Sequence, residues 1–417
     1  MNGAGAWVES LAHSTGNRGP SASHHTGVFL VLIELDGPRS ERHRDGVTIT
    51  PGSVGLPPTP PWSITTRTLR GGRRDGVELI RVENGTLSFE IVPTRGMGLW
   101  RGQFQGDSVG WSSPVSDGPV HPALVNLAGL GGFGWLDGFD ELLARCGLEH
   151  NGPPGQDGPF AHGLHGRIQN IPAHRVAIEV DEAAPHELAV SGQVDEARLF
   201  GPNLRMKTRY ATAPGSNRLT VRDEFVNLGD RPAPLVILYH WNLGPPYLDA
   251  GARVVAAAET VVPQTARAAE GIGHYDTFGP PEPGFAEQVY LYKLIGDGPR
   301  GQTAVMLRNA QGDRAFVLRF STSELPCFTL WKNTMGPNEG YVTGLEPATN
   351  YPNPKTFERQ HGRFVELKPG ASHVAELSLE LLGSAGEVAT VEEEIKVLQA
   401  GRTPEIHPRP CAPFSPA

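Results

Sequence analysis

The segment His162-Gly163-Leu164-His165-Gly166-Arg167 puts two imidazoles and a guanidinium within six residues, among glycines that let backbone approach a ligand closely. Imidazoles exchange protons near neutral pH, and guanidinium forks onto oxygen-rich ligands. A second group, Tyr239-His240-Trp241-Asn242-Leu243-Gly244, closes an apolar run from Pro234 to Leu238. A third, Gly344-Leu345-Glu346-Pro347-Ala348-Thr349-Asn350-Tyr351-Pro352, holds a carboxylate between Leu345 and Pro347. Apolar neighbours raise a carboxyl pKa toward the working range of a general base. A lone histidine is more often structural, and a lone glutamate in a turn more often solvated; the grouping shifts the balance toward function.

Two further places carry polar groups on Gly-flanked turns. Pro93-Thr94-Arg95-Gly96-Met97-Gly98 follows an alternating strand and offers Arg95 to a hydroxyl or carboxylate, although an exposed turn arginine explains it equally well. The run from Gly131 to Gly147 sets aromatic side chains beside Asp140, Glu141 and Arg145, a stacking surface with adjacent hydrogen-bonding groups. Aromatic packing on flexible turns is the simpler account of that run taken alone. Gly131-Gly132-x-Gly134 lacks the strand, the Lys and the long helix of a phosphate loop. His162, His165, His240 and Glu346 also form a nitrogen-and-oxygen donor set for a divalent metal with open positions for water or a keto-sugar. Such a site suits an isomerase or lyase.

The elements that must position these groups are read from composition and period. The chain has 417 residues, 36 Lys+Arg against 45 Asp+Glu, and a net charge of −9, which argues against nucleic-acid binding by bulk phosphate attraction. Gly (52) and Pro (38) are abundant, as in a fold of many short strands and turns. Leu87, Phe89 and Ile91 alternate with Ser88 and Glu90, and Val176, Ile178 and Val180 with Ala177 and Glu179. Leu204, Met206, Thr208 and Tyr210 alternate with Arg205, Lys207 and Arg209, as do Ala375, Leu377, Leu379 and Leu381 with Glu376, Ser378 and Glu380. Each reads as a strand with a dry and a wet side. Helical signals are two: Phe139 to Cys146, and Ser384 to Ala400 with Val388, Val391, Ile395 and Leu398 on one stripe before Gly401. With hardly any crossover helices, a mainly β, antiparallel sandwich is predicted.

Residues 1–61 are Gly/Pro-rich and read as a poorly ordered or accessory extension, 62–383 as the β domain, and 384–417 as a helix and Pro-rich tail, a strap or loose end. Cys146, Cys327 and Cys411 form no C-x-x-C pair and leave an odd thiol, which fits a reducing compartment. The apolar run Val28 to Ile33 is too short for a membrane span and a poor signal core, so a cytoplasmic protein without membrane association is expected.

On these residues a resemblance rests. His240-Trp241-Asn242-Leu243-Gly244 resembles the H-x-(Y/F/W)-N-L-x-G segment of the aldose 1-epimerases, or galactose mutarotases, and Leu345 to Pro352 resembles their L-E-P/T-Q-x-x-P-D segment, in the same order. From about Trp62 to Leu382 the chain is similar to the DUF4432 branch of that superfamily, where Leu164-His165-Gly166-Arg167 and Phe139-Asp140-Glu141-Leu142-Leu143 recur. The resemblance implies a β-supersandwich with one small-molecule sugar site on its concave face. It implies Glu346 as general base at the anomeric hydroxyl and His240 as general acid at the ring oxygen. His165, or else His162, matches a substrate histidine, and Arg95 or Arg145 the substrate arginine; Arg167, Asn242, Trp241 and Asp140 complete the expected binding set. No cofactor is implied, and the divalent metal stays the alternative. Thr349 or Asn350 stands where the family has Gln, and Asn353 where it has Asp. A carbohydrate-binding protein without catalysis is the third reading. The sugar and the oligomeric state are left open by the sequence.

Overall fold

The computed structural model describes residues 30–36, 45–58, 60–115 and 118–416. Two large sheets pack face to face. One runs in the order Leu30–Glu34, His174–Asp181, Leu188–Ala197, Asn203–Thr212, Arg218–Asn227, Ser372–Leu382, Ala315–Ser321, Gln302–Arg308, Arg253–Ala256. The other is centred on Gly98–Phe104, Leu143–Leu148, Ala233–Leu243, Tyr341–Ala348 and Cys327–Thr334, with further strands on either side. Pairing is antiparallel except where Glu405–Ile406 lies parallel to Ala258–Pro263. The main core fills the space between the sheets, where Tyr210, Phe225 and Leu377 of one meet Leu99, Tyr239 and Trp241 of the other. The architecture is the mainly β sandwich that the alternating runs predict, and the four strands with clear period two form as expected.

Three local expectations need correction. Leu87–Val92 has no wet side: Ser88 is 8% and Glu90 2% exposed. Arg67, Arg81 and Arg101 gather their guanidinium groups around the Glu90 carboxylate and cover it, so a charged residue sits buried on the polar side of the alternation. Phe139 to Cys146 is not helical. A 3-10 turn, Gly134–Gly138, leads into the central strand Leu143–Leu148, which is buried on both faces and therefore shows no period of two. Glu141 and Arg145 within this stretch each have a buried ionic partner, Arg95 and Asp223. The helix Ala385–Gln399 forms with Ser384 as its N-cap, but Ala400, not Gly401, takes the first left-handed position. Val388, Val391 and Ile395 seat it on the outer face of the first sheet, against Met306 and Val317.

Residues 1–29 and 37–44, most of the expected N-terminal extension, lie outside the described residues. Leu30–Glu34 is an edge strand on His174–Asp181, and Thr48–Ile49 pairs with Ser63–Thr68. The C-terminal tail is a strap: Ser415 Oγ donates to Gln264 O at 2.7 Å and Phe414 packs on Tyr351. Among the described residues no helix is long and apolar enough to cross a membrane.

One buried ion pair ties the sheets together. Arg145 donates from Nε to Asp223 Oδ2 at 2.6 Å and from Nη2 to Asp223 Oδ1 at 2.9 Å, and also to Tyr210, Thr208 and Met97 O. Both side chains are fully buried. Removing one partner leaves an uncompensated buried charge, so Arg145→Met is expected to cost about 3–5 kcal/mol of stability, measured by chemical denaturation. Loss of less than about 1 kcal/mol would show that the pair does not brace the sheets.

Candidate active site

The strand register builds the site. Between Ala233–Leu243 and Tyr341–Ala348, Leu238 pairs with Ala348 and Trp241 with Leu345, which sets His240 opposite Glu346. His240 pairs with Ala144 on its other side, and Glu346 with Thr329. Ala144, His240, Glu346 and Thr329 therefore form one row across four strands, on the sheet face turned away from the main core. The adjoining row brings Asn242, Gly344 and Trp331 together. Alternation sends Tyr239 and Trp241 to the opposite face, into the core.

In this row His240 Nε2 stands 3.3 Å from Glu346 Oε1. Asn242 fixes the ring: its Nδ2 donates to Glu141 O and His240 O, so its Oδ1 must face His240 Nδ1, 2.6 Å away. The proton is thereby held on Nδ1, which leaves Nε2, the nitrogen beside the carboxyl group, unprotonated. Burial, reinforced by His165, holds His240 well below the ordinary histidine pKa. Burial, reinforced by Glu287, holds Glu346 well above the ordinary carboxyl value. Both directions favour one form, a neutral imidazole beside a protonated carboxyl, with a single exchangeable proton between them. The two residues that the resemblance implies as base and acid thus form a pair in contact.

Gly344 makes that contact possible. A Cβ there would lie 2.5 Å from Glu346 Oε1 and 3.1 Å from His240 Cε1. Aromatic rings enclose the pair: Phe139 at 5.2 Å and Trp331 at 5.4 Å from the His240 ring, with Trp135 at 6.2 Å. The Trp331 indole donates to Glu287 at 2.6 Å. Trp135 Nε1, Thr329 Oγ1 and Glu346 Oε1 are buried without a hydrogen-bond partner among the described residues. Such atoms are costly unless a ligand satisfies them.

His165 joins this group from a turn. Its ring packs edge-on at 5.5 Å from His240 and 4.8 Å from Trp135. Nδ1 lies 2.9 Å from Asn151 O, and burial lowers its pKa to about 4. Its φ of +58° is left-handed backbone, a strain of about 1–2 kcal/mol for a residue other than glycine, of the kind concentrated at functional sites. The following Gly166 (φ +75°) is required sterically, since a Cβ would lie 2.1 Å from His150 O. Asn151 and Asn350 exchange two amide hydrogen bonds, at 2.8 and 2.9 Å, and so clamp this loop to the end of the Glu346 strand. Thr349 caps Ile237, and Asn353 donates to Glu358 and Phe414 O. The residues standing in for the family's Gln and Asp hold the scaffold.

The other expected site residues go elsewhere. Arg95 is fully buried, paired with Glu141 and bonded to Val120 O, Asn170 and Gly138 O. Arg145 is spent on Asp223, and Trp241 packs on Phe316 in the core. None of the three reaches the row. The resemblance implies Arg95 or Arg145 as the substrate arginine; full burial on protein partners takes both away from the site. Asp140 turns away to Trp100 Nε1 at 2.8 Å, and burial with Glu141 nearby raises it to about 7. His162 lies on the far side of the turn, 5.1 Å from the His150 ring and 3.5 Å from Lys355 Nζ. With Arg167 it lines a separate cavity of about 670 Å³. His162, His165, His240 and Glu346 therefore do not converge, and among the described residues no group of three or more His, Cys, Asp and Glu is placed to hold a metal ion. Sequence reading missed Trp331, Thr329 and Glu287. The pairing register singles out the first two, and the Trp331 indole reaches the third.

The hydrogen-bond pattern is checked by nitrogen-resolved NMR of the imidazoles. The His240 ring is expected as the Nδ1–H tautomer with no titration from about pH 5.5 to about 8, and Asn242→Ala is expected to release that preference. An ordinary titration near the free-histidine value would contradict the geometry.

Comparison with known proteins agrees with this architecture. The family described as a domain of unknown function, DUF4432, matches residues 74–381. A crystal structure from Klebsiella pneumoniae subsp. pneumoniae MGH 78578, provisionally described as an aldose 1-epimerase, is 34% identical, with 92% of this chain and 99% of that one covered and a TM-score of 0.88. A galactose mutarotase-like protein from Clostridium acetobutylicum (15% identity, 82% and 100% covered, TM-score 0.51) shares the fold. So does a galactose 1-epimerase from Lactobacillus acidophilus NCFM (14% identity, 77% and 99% covered, TM-score 0.50). No curated protein matches the chain. A family match over most of the length and a relative aligned almost end to end lead to one conclusion: the chain belongs to the DUF4432 family, a branch of the aldose 1-epimerase, or galactose mutarotase-like, superfamily.

Proposed function

We propose that this protein interconverts the anomers of a sugar, with His240 and Glu346 trading one proton with the two oxygens on the anomeric carbon. The observation that carries the reading is the cross-strand contact of Nε2 and Oε1 at 3.3 Å inside an aromatic hollow. Ring opening removes the proton of the anomeric hydroxyl, forms the C1 carbonyl, breaks the bond from C1 to the ring oxygen and delivers a proton to that oxygen. Rotation about C1–C2 and the reverse steps give the other anomer. One group must accept a proton while the other donates one, and a pair that holds a single proton has this capacity in either direction.

As the pair stands, Glu346 is the donor and His240 Nε2 the acceptor. Transfer of that proton to Nε2 yields the roles implied by the family resemblance, a Glu346 base and a His240 acid. The two arrangements have the same proton count, so they share one pH window. Because the reacting oxygens share one carbon, a contacting pair suits them better than groups far apart. Asn242 acts through His240 by holding its tautomer. Trp331, Phe139 and Trp135 offer the flat apolar faces on which a pyranose packs, and the unpartnered Trp135 Nε1 and Thr329 Oγ1 supply polar contacts for its hydroxyls. No cofactor enters the proposal. The resemblance to a structure provisionally described as an aldose 1-epimerase supports the reaction class.

The test is the rate of anomer exchange of aldoses, followed by polarimetry or saturation-transfer NMR. Glu346→Gln and His240→Asn are each expected to lower kcat/KM by about 10² or more, while sugar binding persists. If the wild-type protein leaves the spontaneous rate unchanged over a panel of sugars, the proposal fails. The pH profile follows from the two shifts. The one-proton form is lost on the acid side when His240 gains a proton, which its depressed pKa delays. It is lost on the alkaline side when Glu346 ionises, which its raised pKa delays. The expected profile is a plateau with no inflection at about pH 6.5, the value of a free imidazole.

A further inference from the structure

We propose that the site takes a cationic amino sugar, with the Glu287 carboxylate at the rim of the aromatic hollow as the charge that selects it. The proposal rests on the anomer-exchange reading for the site and adds the charge class of the substrate. Glu287 is exposed, and its Oε2 accepts from Trp331 Nε1 at 2.6 Å. That indole in turn meets the His240 ring edge-on at 5.4 Å. One indole therefore separates the carboxylate from the imidazole, a span that a pyranose with its substituents covers. The Glu287 charge also reaches the pair, since it adds to the rise in the Glu346 pKa that burial begins.

The charge at this rim is negative and uncompensated. Among the described residues Glu287 forms no ion pair, and the Trp331 indole is its one hydrogen-bond donor. The cations nearby in the chain are spent elsewhere. Arg267 donates to Ala286 O and pairs with Glu270 at 2.6 Å. Lys332, next to Trp331 in its strand, points to the opposite face, where Nζ donates to His274 O and Thr277 O at 2.8 and 2.7 Å. Arg95 and Arg145 are closed into the scaffold. Glu339 is a second exposed carboxylate without an ion pair among the described residues, and its neighbour Gly340 abuts Trp111. Trp111 packs on Phe139 at 5.0 Å and Phe139 on Trp331 at 6.1 Å, so the rings form one continuous wall under these acids. Aromatic faces together with unpaired carboxylates favour an ammonium group, because the ring quadrupole and the anions both attract positive charge. The same surroundings repel a uronate or a sugar phosphate.

Isothermal titration of the full-length protein with glucosamine and galactosamine, below the pKa of their amino groups, against glucose, galactose and glucuronate, tests this. The amino sugars are expected to bind about tenfold more tightly than the neutral hexoses, and glucuronate more weakly than either, with both differences shrinking as salt rises from about 0.05 M to about 0.5 M. Glu287→Gln keeps an acceptor for the Trp331 indole and removes the charge, so it separates a role in holding the ring from a role in selecting the substrate. It is expected to reduce the amino-sugar advantage to about twofold or less, and Glu287→Lys to turn the preference toward glucuronate. Equal affinity of the wild-type protein for amino and neutral sugars overturns the charge selection, as does an advantage that survives Glu287→Gln. Should amino sugars bind through Glu287 while no sugar's anomer exchange is accelerated, the anomer-exchange reading falls and the charge selection stands. Should glucose and glucosamine be bound and exchanged equally well, the reading stands and the charge selection falls. Failure of every sugar to bind overturns both.

Discussion

The register between Ala233–Leu243 and Tyr341–Ala348 is the constraint on which the site depends. It places His240 and Glu346 opposite each other on one face and Tyr239, Trp241 and Leu345 on the other. A slip of one residue would send the histidine into the core and Trp241 onto the site face. The apolar side enforces the polar one, because the core between the sheets accepts only one phase of the alternation. The geometry of the candidate site is in this sense a by-product of core packing. Gly344 completes it by leaving the space that the carboxyl group and the imidazole occupy.

Burial then decides what each ionisable group does. Arg95 and Arg145 are as deeply buried as Glu346, but their forks are filled by carboxylates, hydroxyls and carbonyls, and they remain charged braces of the scaffold. Among the described residues Glu346 has no cation beside it and His240 no anion other than Glu346, so desolvation raises the carboxyl pKa and lowers that of the imidazole. The same solvent exclusion favours one kind of buried polar group through saturation and leaves the other kind incomplete.

The turn from His162 to Arg167 divides the polar groups of one short motif between two environments. Its left-handed His165 and Gly166 reverse the chain so that one imidazole meets the aromatic hollow and the other meets Lys355 and His150. The clamp between Asn151 and Asn350 couples this turn to the strand carrying Glu346, which explains how residues far apart in sequence keep a fixed spacing.

By itself the sequence determined the β-rich sandwich, its most regular strands, the C-terminal helix and the three segments that carry His165, His240 and Glu346. These are local properties: period two on half-buried strands, an apolar stripe with an N-cap, and clusters of reactive side chains at glycine-flanked turns. Only the tertiary structure decided that Leu143–Leu148 is a strand, because a strand buried on both faces loses its alternation. It alone removed Arg95, Arg145, Trp241 and Asp140 from the site and parted His162 from His165. It alone added Trp331 and Thr329. Which side a residue faces and what fills its hydrogen bonds depend on partners brought from distant strands, and spacing along one chain does not encode that pairing.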